Sequence, residues 1–174
     1  MNIKYIFQRD GLWFIDGSSE AFDTRMEAIR RARELTRNKK TDGRRFVSEK
    51  LGMAFRSKWE VELAELLYEL GIDFEYEPER FYFRGEGDSY LPDFYLPEYN
   101  VFIEVKGYMD KKSQRRIRLF RKYYKHKYGF FLYEKEERDL IIIKGMTDVL
   151  LQLIQIAHEE QLREARKRGV SNAF

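Results

Sequence analysis

Two short segments rich in aromatic and β-branched residues constrain the fold of this chain more than any other feature. They run from Tyr90 to Leu96 and from Asn100 to Tyr108, and the turn sequence Pro97-Glu98-Tyr99-Asn100 lies where they meet. Such residues favour strands, and proline and asparagine favour the turn that joins two strands. The sequence therefore predicts a β-hairpin, and with it a sheet.

The second strand of this hairpin brings a carboxylate and an amine side by side. Because side chains alternate along a strand, Glu104 and Lys106 point to one face, whereas Ile103 and Val105 point to the other. A Glu-x-Lys pair on a strand is most often a solvated ion pair. Here the apolar and aromatic neighbours predict a strand in the interior of the sheet, where charged groups are costly unless they serve a purpose.

A second carboxylate, Asp93, precedes Phe94 in the first strand. Mg²⁺ prefers oxygen ligands and commonly takes one or two carboxylates together with waters and substrate phosphate oxygens. A bound divalent ion lowers the pKa of coordinated water, and a neighbouring lysine stabilises negative charge on a phosphate. Asp93, Glu104 and Lys106 therefore predict a phosphodiesterase that uses Mg²⁺ or Mn²⁺ and no organic cofactor.

An amphipathic helix upstream offers a third carboxylate. Between residues 56 and 70 the apolar side chains recur at helical spacing, at Trp59, Leu63, Leu66 and Leu70. Glu60 and Glu62 lie on opposite flanks of this stripe, and periodicity does not separate them. Each is a candidate for the site, and each could equally be an ordinary glutamate at the edge of the stripe.

Four motifs follow one another along the chain. They are Phe55-Arg56-Ser57-Lys58-Trp59-Glu60, Gly71-Ile72-Asp73-Phe74-Glu75-Tyr76-Glu77, Tyr90-Leu91-Pro92-Asp93-Phe94 and Ile103-Glu104-Val105-Lys106-Gly107. In order and spacing they resemble the PD-(D/E)XK nuclease superfamily, and within it most closely the phage endonuclease I family, the resolvases of branched DNA. The resemblance extends from about Phe55 to Tyr133.

The resemblance implies a role for each matching residue. It favours Glu60 over Glu62 as the helix glutamate of the site. It implies that Asp93, Glu104, Glu60 and the backbone carbonyl of Val105 are metal ligands. Lys106 is then the catalytic lysine. It implies hydrolysis of DNA, by a homodimer if both strands are cut. Junction selectivity is the first expectation; a sequence-directed homing, restriction-like or transposon-type endonuclease and a non-catalytic DNA-binding subunit are the alternatives.

A basic helix is predicted directly after the catalytic strand. From Lys111 to Lys127 the sequence contains many basic residues and no acidic ones, while Ile117, Phe120 and Tyr124 are spaced to face the core. Lysine and arginine contacts to phosphates supply most sequence-independent affinity for DNA, although such a face can also be merely solvated. The candidate DNA contacts are Lys111, Lys112, Arg115, Arg116 and, before the upstream helix, Arg56.

The fold expected from these segments is α/β: a restriction-endonuclease-like core over residues 53–174, with a central mixed β-sheet flanked by helices. Strands are predicted at Gly129–Tyr133 and Leu140–Lys144, and a final helix from Thr147 to about Arg168. Residues 1–38 read as a small ββα module, with a hairpin from Lys4 to Asp16 and a helix from Thr24 to Arg37, and residues 39–52 as a linker. Two roles are open for this module, auxiliary DNA binding and packing alone.

Composition excludes several classes of protein, namely disulfide-stabilised, zinc-binding and membrane-spanning proteins. The chain has 174 residues, 36% of them charged, a net charge of only +3, no cysteine and two histidines. These counts exclude disulfides and thiolate metal sites and offer no zinc cluster. The sequence contains no apolar run long enough for a membrane span and no signal peptide, so a cytoplasmic protein is expected, with a phage or mobile element as one origin.

Overall fold

The computed structural model describes residues 6–15, 18–35 and 43–169. The fold is mixed α/β, and it divides into two compact units, Met1–Phe74 and Glu75–Phe174. This division lies C-terminal to the linker predicted at residues 39–52. Part of that predicted linker, Phe46–Ser48, is instead a strand of a β-hairpin.

The first unit begins with the predicted hairpin and helix. Its elements are β1 (Ile6–Arg9), β2 (Leu12–Ile15), β3 (Ala21–Phe22) and α1 (Arg25–Leu35). The turn between β1 and β2 is formed by Asp10 and Gly11, both with positive φ, a conformation that glycine adopts without strain. The short strand β3 pairs with β2 and was not predicted.

Helix α1 covers this small sheet, as its pattern of apolar residues predicts. Ala28, Ile29 and Ala32 are buried, and Ala28 and Ala32 pack with Ile15. The helix was predicted to continue to Arg37, which lies outside the described residues. Arg31 of this helix forms an ion pair with Glu20 at 2.7 Å. An auxiliary role of the module in DNA binding stays a prediction.

The rest of the first unit is a hairpin followed by the predicted amphipathic helix. The elements are β4 (Phe46–Ser48), β5 (Met53–Phe55) and α2 (Lys58–Glu69). Ser57 caps α2 by accepting a hydrogen bond from the Glu60 N–H. The buried face of the helix is formed by Glu60, Leu63, Ala64 and Leu67, whereas Trp59, Leu66 and Leu70 of the predicted apolar stripe are only half-buried. The buried face is therefore rotated from the predicted one towards Glu60.

The second unit contains the mixed sheet that the sequence predicts. Its elements are β6 (Glu75–Tyr76), β7 (Phe81–Phe83), β8 (Asp88–Tyr90), β9 (Phe94–Leu96), β10 (Val101–Val105), α3 (Lys111–Tyr124), β11 (Gly129–Tyr133), α4 (Lys135–Arg138) and α5 (Thr147–Lys167). The strand order is β11-β10-β9-β6. β10 and β11 are parallel and joined through α3, and the other pairs are antiparallel.

The segment predicted as one strand from Tyr90 to Leu96 is two strands. β8 ends at Tyr90 and pairs with β7 in a separate hairpin, and β9 begins at Phe94. Pro92 lies between them, and a proline has no N–H to donate to a neighbouring strand. The break therefore leaves Asp93 just outside the regular pairing of β9.

Aromatic side chains fill the space between the β7–β8 hairpin, the sheet and α3. The Phe81 ring lies 5.3 Å from that of Phe102 and 4.9 Å from that of Phe120. Ile117 and Phe120 are buried and Tyr124 is half-buried, which confirms the predicted inner face of α3. On β11, a Cβ atom at Gly129 would lie 2.6 Å from the carbonyl oxygen of Ala157, so α5 approaches too closely for any other residue there.

The strand predicted at Leu140–Lys144 is wrong. Residues Asp139–Ile143 form a π-helical segment that continues α4, with a hydrogen bond from the Lys144 N–H to the Asp139 carbonyl. A run of β-branched residues favours a strand locally, but burial of Ile141 in a helical conformation outweighs that preference. No helix within the described ranges is long and apolar enough to cross a membrane.

Candidate active site

The register of the β9–β10 hairpin brings Asp93 to Glu104. Phe94 pairs with Ile103, and one step further along the two chains lie Asp93 and Glu104. The Val105 N–H donates a hydrogen bond of 2.8 Å to Asp93 Oδ2. This hydrogen bond positions the carboxylate of Asp93 at the C-terminal end of β10, next to Glu104 and Lys106.

Glu104 is buried at the centre of this arrangement, with only 3% of its surface exposed. The Tyr90 hydroxyl donates a 2.7 Å hydrogen bond to its Oε2 atom, and Lys106 Nζ lies 2.7 Å from Oε1. A buried carboxylate is tolerated when it is paired and hydrogen-bonded in this way. We refer to Asp93, Glu104 and Lys106 as the acid–lysine cluster.

The cluster keeps Lys106 charged. Burial of its side chain lowers the pKa, but the charge of Glu104, the hydrogen bond to Glu104 and the charge of Asp93 raise it by more. The pKa of Lys106 therefore lies above its ordinary value of 10.5. Around neutral pH this residue can stabilise negative charge or orient a nucleophile, but it is a poor proton acceptor.

Tyr90 is the residue of this site that the sequence analysis missed. Burial, the charge of Glu104 and the hydrogen bond to Glu104 raise its pKa well above 10, so its hydroxyl stays a donor. The sequence does contain a signal, since a tyrosine three residues before Asp93 lies inside the matched motif. The composition of the segment indicates only a strand there, and the contact of Tyr90 with Glu104 depends on the separate pairing of β8 with β7.

Glu60 belongs to the first unit, where it is buried at the N-terminus of α2. Its Oε2 accepts a hydrogen bond from the Arg56 N–H at 3.1 Å, and its Oε1 accepts one from the Ser57 hydroxyl at 2.7 Å. These contacts give Glu60 a helix-capping role. Its participation in the acid–lysine cluster stays a prediction. Glu62, the alternative, is half-buried on the same helix.

The donor set of the cluster fits Mg²⁺ or Mn²⁺. Two carboxylates, Asp93 and Glu104, lie beside the backbone of Val105, and Mg²⁺ typically takes one or two carboxylates and completes its shell with water and phosphate oxygens. Within residues 6–15, 18–35 and 43–169, no three acidic or histidine side chains converge closely enough to hold a metal alone. Metal binding here would therefore depend on water and substrate oxygens.

The predicted DNA contacts divide into two groups. Lys111, Lys112 and Arg56 are exposed. Arg115 and Arg116 instead form ion pairs of 2.9 Å with Asp88. Asp88 lies on β8, and its approach to α3 cannot be predicted from the pattern of basic residues in α3 alone.

Comparison of the chain with protein-family models, with curated proteins and with solved structures found no match. The resemblance to the PD-(D/E)XK superfamily therefore rests on the four sequence motifs. The geometry of the acid–lysine cluster is independent of that resemblance, because it follows from strand pairing and side-chain contacts alone.

Proposed function

We propose that this protein is a metal-dependent DNA endonuclease with a restriction-endonuclease-like core, selective for branched or four-way DNA. One observation supports the proposal above all others. Asp93 directly precedes β9, Glu104 lies in β10 and Lys106 directly follows it, and the three meet at one end of the β9–β10 hairpin with the lysine charged. Two carboxylates beside a cation suit the hydrolysis of a phosphodiester.

Each side chain has a proposed role. Asp93 and Glu104, with the carbonyl of Val105, hold Mg²⁺ or Mn²⁺, which when bound supplies an acidified water and neutralises phosphate charge. Lys106 donates hydrogen bonds to the attacking water or to the phosphate and stabilises the charge that develops there. Glu60 aids the placement of metal or water.

DNA binding and assembly complete the proposal. Lys111 and Lys112, exposed at the start of α3 and close in sequence to Lys106, contact phosphates near the cleavage point. Cleavage of both strands of a branched substrate requires two active sites, so the protein acts as a homodimer. The basic residues that follow Lys106 in sequence, from Lys111 onward, are consistent with a polyanionic substrate.

The test compares the native chain with Lys106→Ala on a four-way junction and on a linear duplex of matched sequence, with Mg²⁺ and after its removal by EDTA. We expect Mg²⁺-dependent cleavage that prefers the junction, and a loss of rate of about 10²–10³-fold in Lys106→Ala. Junction binding should be largely retained. Lys144→Ala, a change at an exposed lysine before α5, is the matched control and should cleave normally.

Three results would redirect the assignment. Preferential cutting of one linear sequence would favour a homing or restriction-like enzyme over a junction resolvase. Binding of DNA without any metal-dependent cleavage would indicate a non-catalytic subunit. Unchanged cleavage in Lys106→Ala would remove the acid–lysine cluster from the reaction.

A further inference from the structure

Strand β7 presents a tyrosine between two arginines to solvent. Phe81 and Phe83 are buried in the aromatic core, so Arg80, Tyr82 and Arg84 lie on the opposite face of the strand. Tyr82 is 70% exposed, and both arginines are exposed as well. We call these three residues the Tyr82 face.

The neighbouring strand leaves the Tyr82 ring uncovered. The residue directly opposite Tyr82 on β8 is Ser89, whose side chain is too small to cover an aromatic ring. The Arg80 guanidinium donates a hydrogen bond of 3.3 Å to the Ser89 hydroxyl, which holds this cation beside the same face. A large aromatic surface is therefore exposed next to a positive charge.

An open cleft of about 720 Å³ adjoins the Tyr82 face. Tyr82 and Arg84 line it from the hairpin, and Lys112 and Arg116 line it from α3. Asp88 is the acidic residue in this lining, and two arginines of α3 already neutralise it. The lining thus has an excess of positive charge, and its volume is within the usual range of ligand sites.

Ion pairs and a hydrogen bond connect the two walls of the cleft, the β7–β8 hairpin and α3. Asp88 bridges Arg115 and Arg116, and Glu86 accepts a hydrogen bond of 3.0 Å from the Tyr123 hydroxyl. Lys122 lies 3.4 Å from Glu86. The hairpin tip is thereby fixed to α3, so the cleft is already formed in the absence of a ligand. Ordering of the cleft therefore adds little to the free-energy cost of binding.

We propose that the Tyr82 face and the adjoining cleft bind an unpaired strand of DNA, with one base stacked on Tyr82 and with phosphates contacted by Arg80, Arg84 and Lys112. Aromatic rings flanked by cations are the usual surface for single-stranded nucleic acid. A fully paired duplex offers Tyr82 no base face, because its bases are already stacked on each other. The inference rests on the proposed function and specifies the substrate as branched DNA that contains unpaired bases.

The test measures binding by fluorescence anisotropy in EDTA, so that no cleavage occurs. The ligands are a single-stranded DNA, a four-way junction with unpaired bases at its centre, and a fully paired duplex. We expect Tyr82→Ala to weaken binding of the first two about tenfold and to leave duplex binding within twofold. Tyr82→Phe keeps the ring and should bind like the native chain.

Ile156→Ala is the matched control, since it truncates an exposed apolar side chain on α5 and should change no affinity. Equal loss of affinity for all three ligands, no loss in Tyr82→Ala, or a loss in Tyr82→Phe as large as in Tyr82→Ala would each overturn the stacking role. Tighter binding of an RNA strand of the same sequence would overturn the choice of DNA. Cleavage of the junction with Mg²⁺, measured separately, reports on the proposed function itself, so the two can fail independently.

Discussion

At the scale of single residues, the contacts of the Glu104 carboxylate determine what the acid–lysine cluster can do. Its two carboxylate oxygens contact different groups, the Tyr90 hydroxyl at Oε2 and the Lys106 ammonium at Oε1. Tyr90 is a fixed donor on a packed ring, whereas Lys106 is a long side chain that is 24% exposed. Tyr90 is therefore the contact that determines where the carboxylate lies, and Lys106 is the contact that a ligand can replace.

Replacing Tyr90 by phenylalanine should leave the position of the Glu104 carboxylate less well determined and should destabilise the fold. The substitution removes a hydrogen bond to a buried charge, and we expect a loss of about 1.5–3 kcal/mol in the free energy of unfolding at neutral pH, measured in urea. Orienting partners of metal-binding carboxylates affect metal affinity, so Mg²⁺ binding measured by calorimetry should weaken about tenfold.

Tyr95→Phe provides the comparison for this substitution. Its hydroxyl donates to Asn100 Oδ1 at 3.0 Å, so the change removes a hydrogen bond to a neutral group in the same sheet. We expect a cost of about 1 kcal/mol in stability and no change in Mg²⁺ binding. Equal Mg²⁺ affinity in Tyr90→Phe and the native chain would show that Tyr90 does not position a metal ligand.

At the scale of elements, the β7–β8 hairpin depends on charge for its attachment to α3. Hydrogen bonds from Arg116 and from the Ser89 N–H, with the charge of Arg116 and a hydrogen bond from Arg115, lower the pKa of Asp88 from 3.8 to about 2. A carboxyl group with a lowered pKa in the folded state stabilises that state above its unfolded pKa. This contribution is lost as the pH falls from about 4 towards 2.

The corresponding experiment follows the hairpin amides by hydrogen exchange from pH 5 to pH 2. We expect the amides of β7 and β8 to lose protection in the native chain as Asp88 is protonated, over and above the change in intrinsic exchange rate. Asp88→Asn should have reduced protection already at pH 5 and a smaller further loss on acidification, which comes from Glu86, whose pKa is lowered by its hydrogen bond from Tyr123. Glu164, whose pKa is also lowered to about 2 by hydrogen bonds from Lys125 and Lys167, serves for comparison, since Glu164→Gln should leave the hairpin unaffected.

The elements also differ in how far local sequence predicts them. The β9–β10 hairpin and helix α3 follow their periodicity, because each buries one face and has a turn or cap at its end. Helix α2 forms where it was predicted, but the face that it buries is rotated from the predicted apolar stripe. The π-helical segment Asp139–Ile143 does not, because a short β-branched run is compatible with strand or helix and packing decides between them. The β7–β8 hairpin escaped prediction because the residues from Tyr90 to Leu96 were assigned to one strand, although Pro92 marks the break between β8 and β9.

At the scale of the whole molecule, the distribution of charge matters more than its total. The net charge is only +3, yet Lys111 and Lys112 are exposed at the start of α3, whereas Arg115 and Arg116 are compensated by Asp88. Counterion release depends on the cations that contact phosphates. The salt dependence of DNA binding should therefore distinguish Lys111 and Lys112 from exposed lysines elsewhere in the chain.

We expect Lys111→Ala to reduce the slope of log K against log salt by about 0.9 on duplex DNA, measured by anisotropy without divalent ions. Lys144→Ala should leave the slope unchanged. An unchanged slope in Lys111→Ala would move the DNA interface away from the start of α3. The measurement requires no cleavage, so it tests DNA binding separately from catalysis.

Strand alternation and turn residues act over a few positions, and they are enough to predict the mixed α/β class, the hairpin that contains Asp93 and Glu104, and the proximity of Glu104 to Lys106. The contact of Tyr90 with Glu104 and the ion pairs of Asp88 with the arginines of α3 depend instead on tertiary packing. These contacts join segments 14 and 27–28 residues apart in the chain, and local preference contains no information about such distances. Packing of the aromatic core brings those segments together, and with them the groups that surround the site.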